Sequence, residues 1–527
     1  MVPRPAIFHP AAAAAHFWEA IKEITEFLYH GKHQRLEEGV TEWTHGEEKT
    51  LHPLSHRPQC PECGDPMILL NPPKPIMLQD HPLQVGVGGG YRTLSGAETY
   101  RKYERQISPL TGIAPYIKVY SNHLEGPIHN YSSGRNRAMQ SSSMFWMNLN
   151  LRTANGGKGK TEQQAQTGAL CEAIERYSLM YIDPRYSIQG SFEGIPDAIH
   201  PNDCMLFSNK QIAERNLTNP QNTMFHSLVP ISFDQHLKMD WTPVFSLTQK
   251  KFKYLPSCYC YAQYPGGDES NLFAYPDTNG AAAGNTLEEA ILQGILELIE
   301  RDAAAIWWYN QIPRRAVDLK SANNPYFTEV MAYYRNLNRS ITVLDIRSDL
   351  NIPVFAAISH DLRPNHPDEI IYAFGAHVDP AIALERAVIE LNQILPIAVH
   401  QGSEFLTQDE TFLNWLRHRK MDDLPHFNPI SGPDLNITSE FPNPPPLGLL
   451  PAIEHCMKAT EEAGLETLVL DLTQPDIGLN VAKVIVPGLR HMWRRTAPGR
   501  LYEVPEKMGW LPKKLQESEL NSDSIFI

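Results

Sequence analysis

A chain of 527 residues, 42% hydrophobic and 20% charged, has room for about two to four domains around a large core. Its formal charge of −14 argues against a nucleic-acid binder, whose footprint is basic, but allows a local basic pocket. Seven scattered cysteines are too few for a disulfide framework. No apolar run is long enough to span a bilayer, and the opening MVPRPAIFHPAAAAAHFWEAI lacks a signal-peptide layout, so the expected compartment is the cytoplasm.

Residues 1–80 read as a first segment. Ala11 to Tyr29 has helical spacing, with Phe17, Ile21, Ile24 and Leu28 on one face. Cys60-Pro-Glu-Cys63-Gly64 is half of a zinc knuckle, two thiolates on a tight turn closed by glycine, where structural zinc takes four ligands. Cys258-Tyr259-Cys260 lies in a strand-like run and is a poor complement. The bland alternative is two free cysteines on a loop. Pro72 to Pro82 reads as a linker, and residues 81–527 as the main domain.

Within that domain Ala97 to Ile107 predicts a helix, and Ala114 to Tyr120 and Phe145 to Leu151 predict strands. A glycine turn at 156–159 opens GGKGKTEQQAQTGALCEAIERYS, ending at Ser178. Thr161 with Gln164 has capping-box spacing, and Ala165, Ala169, Leu170, Ala173 and Ile174 make an apolar stripe. Glu172 and Glu175 project beside that stripe, where carboxylates need cations. Ser257 to Tyr264 and Asn271 to Tyr275 read as strands before a second helix, Ile341 to Asp345, Val354 to Ile358 and Ile370 to Ala376 as strands before a third. Asp422 to Pro451 reads as a surface loop, Glu466 to Leu472 and Val481 to Pro487 as strands. Strand pairs feeding helices, repeated, predict an α+β or mixed α/β domain.

The repetition is explicit. A shift of 125 positions carries Thr161, Ala165, Glu172, Glu175 and Arg176 onto Thr286, Ala290, Glu297, Glu300 and Arg301 of NTLEEAILQGILELIERD. ALERAVIELNQ keeps the offsets as Ala383, Glu390 and Gln393. Three echoes suggest related packing units with acidic residues facing one pocket. The bland reading is a set of i,i+4 Glu–Arg pairs on exposed helices, each contributing about 0.2–0.5 kcal/mol. Glu172, Glu175, Glu297 and Glu300, with Asn285 and Glu289 upstream, form an oxygen-rich set suited to Mg²⁺. The glycine turn before a helix N-terminus favours anions, and Lys158, Arg386, Arg135 and Arg137 offer positive charge. With neither GxxxxGK[ST] nor GxGxxG in the chain, a nucleotide site would be of a non-standard kind.

GGKGKTEQQAQTGALCEAIERYS, AGNTLEEAILQGILELIERD, FGAHVDPAIALERAVIELNQ and LDLTQPDIGLNVAKVIVPGL together resemble the YcaO family. The resemblance runs from about Gly88 to the C-terminal region. ALCEAIERYS and APGRLYEVPEKMGW look most like the heterocyclases of cyanobactin and related azoline peptide (bacteriocin-like) pathways. CPECG resembles the tail of the ThiF-like domain fused ahead of YcaO in those proteins. The resemblance implies an α+β YcaO-like domain of internally repeated units behind a small zinc-knuckle-like segment. It implies ATP and Mg²⁺ as cofactors, with Zn²⁺ at the knuckle as an optional third.

The implied activity is ATP-dependent cyclodehydration of a ribosomal precursor peptide. A Cys, Ser or Thr side chain attacks the preceding amide carbonyl, ATP phosphorylates the amide oxygen, and loss of phosphate leaves a thiazoline or oxazoline. By resemblance Glu172, Glu175, Glu297 and Glu300 hold Mg²⁺, and Asn285, Glu289 and Arg386 line the nucleotide with Glu390 and Gln393 near it. Arg92 and Thr99 match its first contacting helix, and Cys60 and Cys63 a zinc half-site. Three departures stand out. The family's common Ser is Gly168 here, and the proline-rich tail is replaced by ELNSDSIFI, expected to dock weakly through Phe526 or stay mobile. Only the end of the ThiF-like region is present, so a separate leader-binding protein is the expected partner, and a homodimer is compatible. The alternatives are thioamide or amidine formation, or a degenerate ATP- or peptide-binding protein.

Overall fold

The structure is a computed structural model describing residues 10–31, 39–43, 49–84, 90–120, 126–127, 129–134, 155–221, 227–265, 272–399 and 410–525. The N-terminal helix Pro10–His30 precedes a hairpin of β1 (Gly39–Trp43) and β2 (Lys49–Pro53). The framework that follows is one unit used three times: a strand bearing glycine, then a helix folded back across it. In the first, β3 (Ile117–Val119), β4 (His129–Ser133) and β5 (Asn155–Gly159) pair antiparallel in that order, and helix Glu162–Ser178 packs on β4 and β5.

The second unit contains β6 (Ile188–Gly190), β7 (Met239–Ser246), β8 (Lys251–Pro256) and β9 (Ala281–Gly284), followed by helix Leu287–Tyr309. The third is the meander β10 (Thr342–Asp345), β11 (Val354–Ser359) and β12 (Ile371–Ala376), followed by helix Pro380–Val399. The chain then returns to the second sheet, where β13 (Leu468–Asp471) and β14 (Asn480–Ile485) complete the order β6-β7-β13-β14-β9, with β8 also on β7. All of β11 and β12 is buried, because the second and third helices both pack on this sheet. That is why VFAAIS and IYAFGA are continuous apolar runs rather than alternating ones.

Glycine sets how closely each helix approaches its strand. A Cβ on Gly157 would lie 1.9 Å from the Ala165 carbonyl oxygen, and one on Gly375 2.5 Å from that of Ala383. A shift of 218 positions carries the first pair onto the second. Gly159 against Gln164 and Gly284 against Glu289 are likewise equivalent, each with a Cβ–Cβ approach of 2.5 Å. The second helix is apolar almost all round, as expected of a central element, and Trp307, Trp308 and Tyr309 are buried at its end.

Several expectations need correction. Ser257–Cys260 is a short helix, not a strand, and residues 272–275 form no strand. Cys260 therefore packs into the core beside Tyr259 and Tyr261. The 422–451 stretch is more than a surface loop: it buries Leu424, His426, Phe427, Leu435 and Ile437 because its short helices cover the aromatic end of the central helix. The tail is docked, not loose. Leu520 and Ile525 are buried, Trp308 Nε1 donates to the Asp523 carbonyl at 2.7 Å, and the Asn521 N–H donates to Tyr309. The expected strand at 145–151, Arg135, Arg137 and Phe526 lie outside the described residues.

Candidate active site

The first two helices begin alike. Thr161 Oγ accepts from the Gln164 N–H and Thr286 Oγ from the Glu289 N–H, each at 3.2 Å. Gln164 accepts back from the Lys160 N–H and Glu289 from the Asn285 N–H, each at 3.0 Å. Thr161 caps its helix as the sequence predicts, but the return bond comes from the residue before the cap in both helices, so neither is a capping box in the strict sense. In the second helix the capping carboxylate is also a site residue. Glu289 is 1% exposed and accepts from the Thr93 N–H at 2.6 Å, while Arg92 stands 3.9 Å away. Thr99, on the Gly96–Tyr103 helix, hydrogen-bonds the Asn285 carboxamide at 3.0 Å.

Two turns further on, the echoed glutamates are anchored alike. Glu172 Oε2 accepts from the Gly156 N–H at 2.7 Å and pairs with Arg176 at 3.2 Å. Glu297 Oε2 accepts from the Gly280 N–H at 2.8 Å and pairs with Arg301 at 2.6 Å. The bland reading is half right, because the i,i+4 pairs form. They face inward, however: the Glu297 charge bears on both Glu175 and Arg176. Burial, reinforced by Glu172 and Glu297, pushes the Glu175 carboxyl up to about 8. Burial and Glu390 do the same to Glu300, also to about 8. Carboxyl groups so crowded ionise readily only beside added positive charge.

The third helix brings Glu390, paired with Lys158 at 2.7 Å, and Arg386. Arg386 donates to the Ala376 carbonyl at 3.1 Å and to Gln293 Oε1 at 2.7 Å. Burial and the neighbouring Arg92 lower its pKa to about 10. Gln393 lies against Gly156, where an added Cβ would meet its Nε2 at 2.6 Å. A cleft of about 430 Å³ is lined by Arg92, Thr99, Asn285, Glu289, Glu297, Glu300, Arg386 and Glu390, among others. Glu172, Glu175 and Gln393 are outside that lining. The sequence reading missed Thr93, Gln293 and the apolar wall of Leu94, Leu296 and Ile389; only Gln293 carries a signal, its place in the repeat. An all-oxygen acidic set beside arginine and lysine fits Mg²⁺ with a phosphate ligand.

Cys60 and Cys63 lie on the CPECG turn, closed by the Gly64 N–H donating to the Cys60 carbonyl at 2.9 Å. Backbone N–H groups of Cys63 and Glu62 lower the Cys60 thiol, and its hydrogen bond to Cys63 raises the latter. Two thiolates are half of a structural zinc set. Among the described residues the three-group cluster with metal-ligand spacing is elsewhere, at Asp361, His366 and Glu369. Those carboxylates already pair with Arg363 and Arg339, a salt-bridge network.

A solved structure described as a heterocyclase in complex with substrate and cofactor superposes with a TM-score of 0.89 at 37% identity, covering 99% of this chain and 70% of that one. The heterocyclase TruD gives 0.75 at 33% identity, covering 100% and 68%. YcaO from Methanopyrus kandleri, bound with AMPPCP and Mg²⁺, shares the fold with a TM-score of 0.53 at 21% identity, covering 77% and 94%. Residues 156–490 match the family model described as YcaO cyclodehydratase, ATP- and Mg²⁺-binding; with three repeat helices and their acidic motifs inside that span, the chain belongs to the YcaO family.

Proposed function

We propose that this protein is an ATP-dependent peptide cyclodehydratase. It converts Cys, Ser or Thr in a ribosomally made precursor peptide to thiazoline or oxazoline. The observation that carries the reading is the delivery of Asn285, Glu289, Glu297, Glu300, Arg386 and Glu390 by successive repeat helices into one cleft. Asn285 and Glu289, steadied by Thr99 and Thr93, hold the nucleotide at the helix start. Arg386 and Lys158 face the phosphates. Glu172, Glu175, Glu297 and Glu300 hold Mg²⁺, which when bound screens phosphate charge during transfer.

The substrate nucleophile gives up its S–H or O–H proton to solvent and adds to the preceding carbonyl carbon. The resulting oxyanion takes the γ-phosphoryl group and ADP departs. The amide nitrogen then loses its proton as phosphate leaves, closing a C=N bond. A poor leaving group, oxide, thus becomes a good one, and the residues contribute positioning and charge neutralisation. The leader of the peptide is held by a separate ThiF-like partner, and residues 1–80 are the adaptor to it.

The test is mass spectrometry of a leader-bearing, cysteine-containing peptide incubated with the protein, Mg-ATP and the partner. Loss of one water mass per ring, matched by phosphate release, is the expected result. A product in which oxygen is exchanged for sulfur or an amine would replace this reading with thioamide or amidine formation. No ATP consumption with any nucleophile would leave a binding protein.

A further inference from the structure

The repeat places three further residues at one equivalent position. A shift of 125 carries Gly168 onto Gln293, and a shift of 218 carries it onto Arg386. Each lies one helical turn before its own glutamate: Glu172, Glu297 or Glu390. All three line the cleft, and Gln293 and Arg386 touch through the 2.7 Å bond to Oε1. A guanidinium only donates, so this contact settles the orientation of the amide: oxygen to Arg386, nitrogen away from it. That nitrogen, Nε2, is buried without a hydrogen-bond partner among the described residues.

The residue type is informative. Gln293 stands in a row with Glu289, Glu297 and Glu300 on one face of the central helix. It is the neutral member of that row and the one that meets Arg386. A glutamate there would form an ion pair and cancel the arginine's charge. A glutamine accepts from the guanidinium, holds its plane and leaves its charge for an anion. Its amide also keeps an N–H to give to the same anion. Gly168, opposite in the repeat, brings no side chain to compete.

We propose that Gln293 is a positioning residue for nucleotide binding: its Oε1 sets Arg386, and its Nε2 donates to a phosphate oxygen. This rests on the nucleotide reading above. The test is calorimetric titration of Mg-ATP into the full chain and into Gln293→Met and Gln293→Glu, with nucleotide-free melting curves. Met preserves bulk without hydrogen bonds; Glu preserves shape and the acceptor but cancels charge. Both variants are expected to melt like wild type and to lose about tenfold or more in ATP affinity, the cost of hydrogen bonds to charged groups. The loss from Gln293→Met is expected to shrink in an Arg386→Lys background, which a merely structural role would not produce. Wild-type affinity in both variants, or full additivity with Arg386→Lys, overturns the proposal while leaving the nucleotide reading intact. No Mg-ATP binding by the wild-type chain overturns both.

Discussion

Glu175 and Glu300 are carboxyl groups whose protonation is set by their surroundings. Both are held up to about 8 against an ordinary 4.5, by burial first and neighbouring carboxylates second. Between those limits the folded, metal-free protein binds protons that the unfolded chain has released. Their contribution to stability is therefore complete below the ordinary carboxylate range and is lost as pH rises toward about 8. Melting curves in chelator across that window should fall, and Glu175→Gln should flatten the fall. The same variant is expected to abolish ATP turnover with the fold retained. A variant that matches wild type in both turnover and pH profile would remove Glu175 from the site.

At the scale of the element, the strand-to-helix contact is what the repeat preserves. Gly157→Ala puts a Cβ into the Ala165 carbonyl and the Ala169 N–H, so β5 must separate from its helix. A loss of about 3 kcal/mol in urea unfolding is expected, at the top of the overpacking range. Gly168→Ser is the contrast. Its Cβ would meet the nearest atom, Gly157 Cα, at an ordinary 3.4 Å, and replacing glycine inside a helix should stabilise by about 0.5 kcal/mol. The three helices and the third sheet were legible in the sequence because caps, apolar spacing and acidic offsets agree there. Ser257–Cys260 was misread because its aromatic and cysteine content, a strand preference, records burial in the core rather than backbone shape. β7 was missed because Met239–Ser246 carries Asp240 near its start and Pro243 inside it, both uncommon within strands. Of the cleft, Glu297, Glu300 and Glu390 were legible as repeated acidic offsets and Glu289 as a carboxylate upstream of them, while the contacts of Thr93 and Gln293 arise only when segments distant in sequence meet.

For the whole molecule, the tail and the 49–84 segment are both tied to parts of the chain distant in sequence. The tail is a strap over the central helix, with Ile525 fully buried and Trp308 bonded to the Asp523 carbonyl. Ile525→Ala should cost about 2–5 kcal/mol in equilibrium unfolding, as core truncations do; a change near zero would mean the strap is not part of the core. At the other end Arg57 pairs with Asp476 at 2.6 Å, 419 residues along the chain. Gln59 reaches Tyr177, and Gln79 and His81 reach Glu288, the neighbour of Glu289. During synthesis the segment around 49–84 emerges early, yet its anchors at 288 and 476 are translated much later. Its contacts to Ser108, Thr111 and Tyr177 can form early, but those to Glu288 and Asp476 must wait until most of the chain is made, because distant contacts form only after the loop between them can close. The last anchors of this early segment are thus among the last contacts to assemble, and a nascent chain stalled before residue 476 would carry Arg57 without its Asp476 partner.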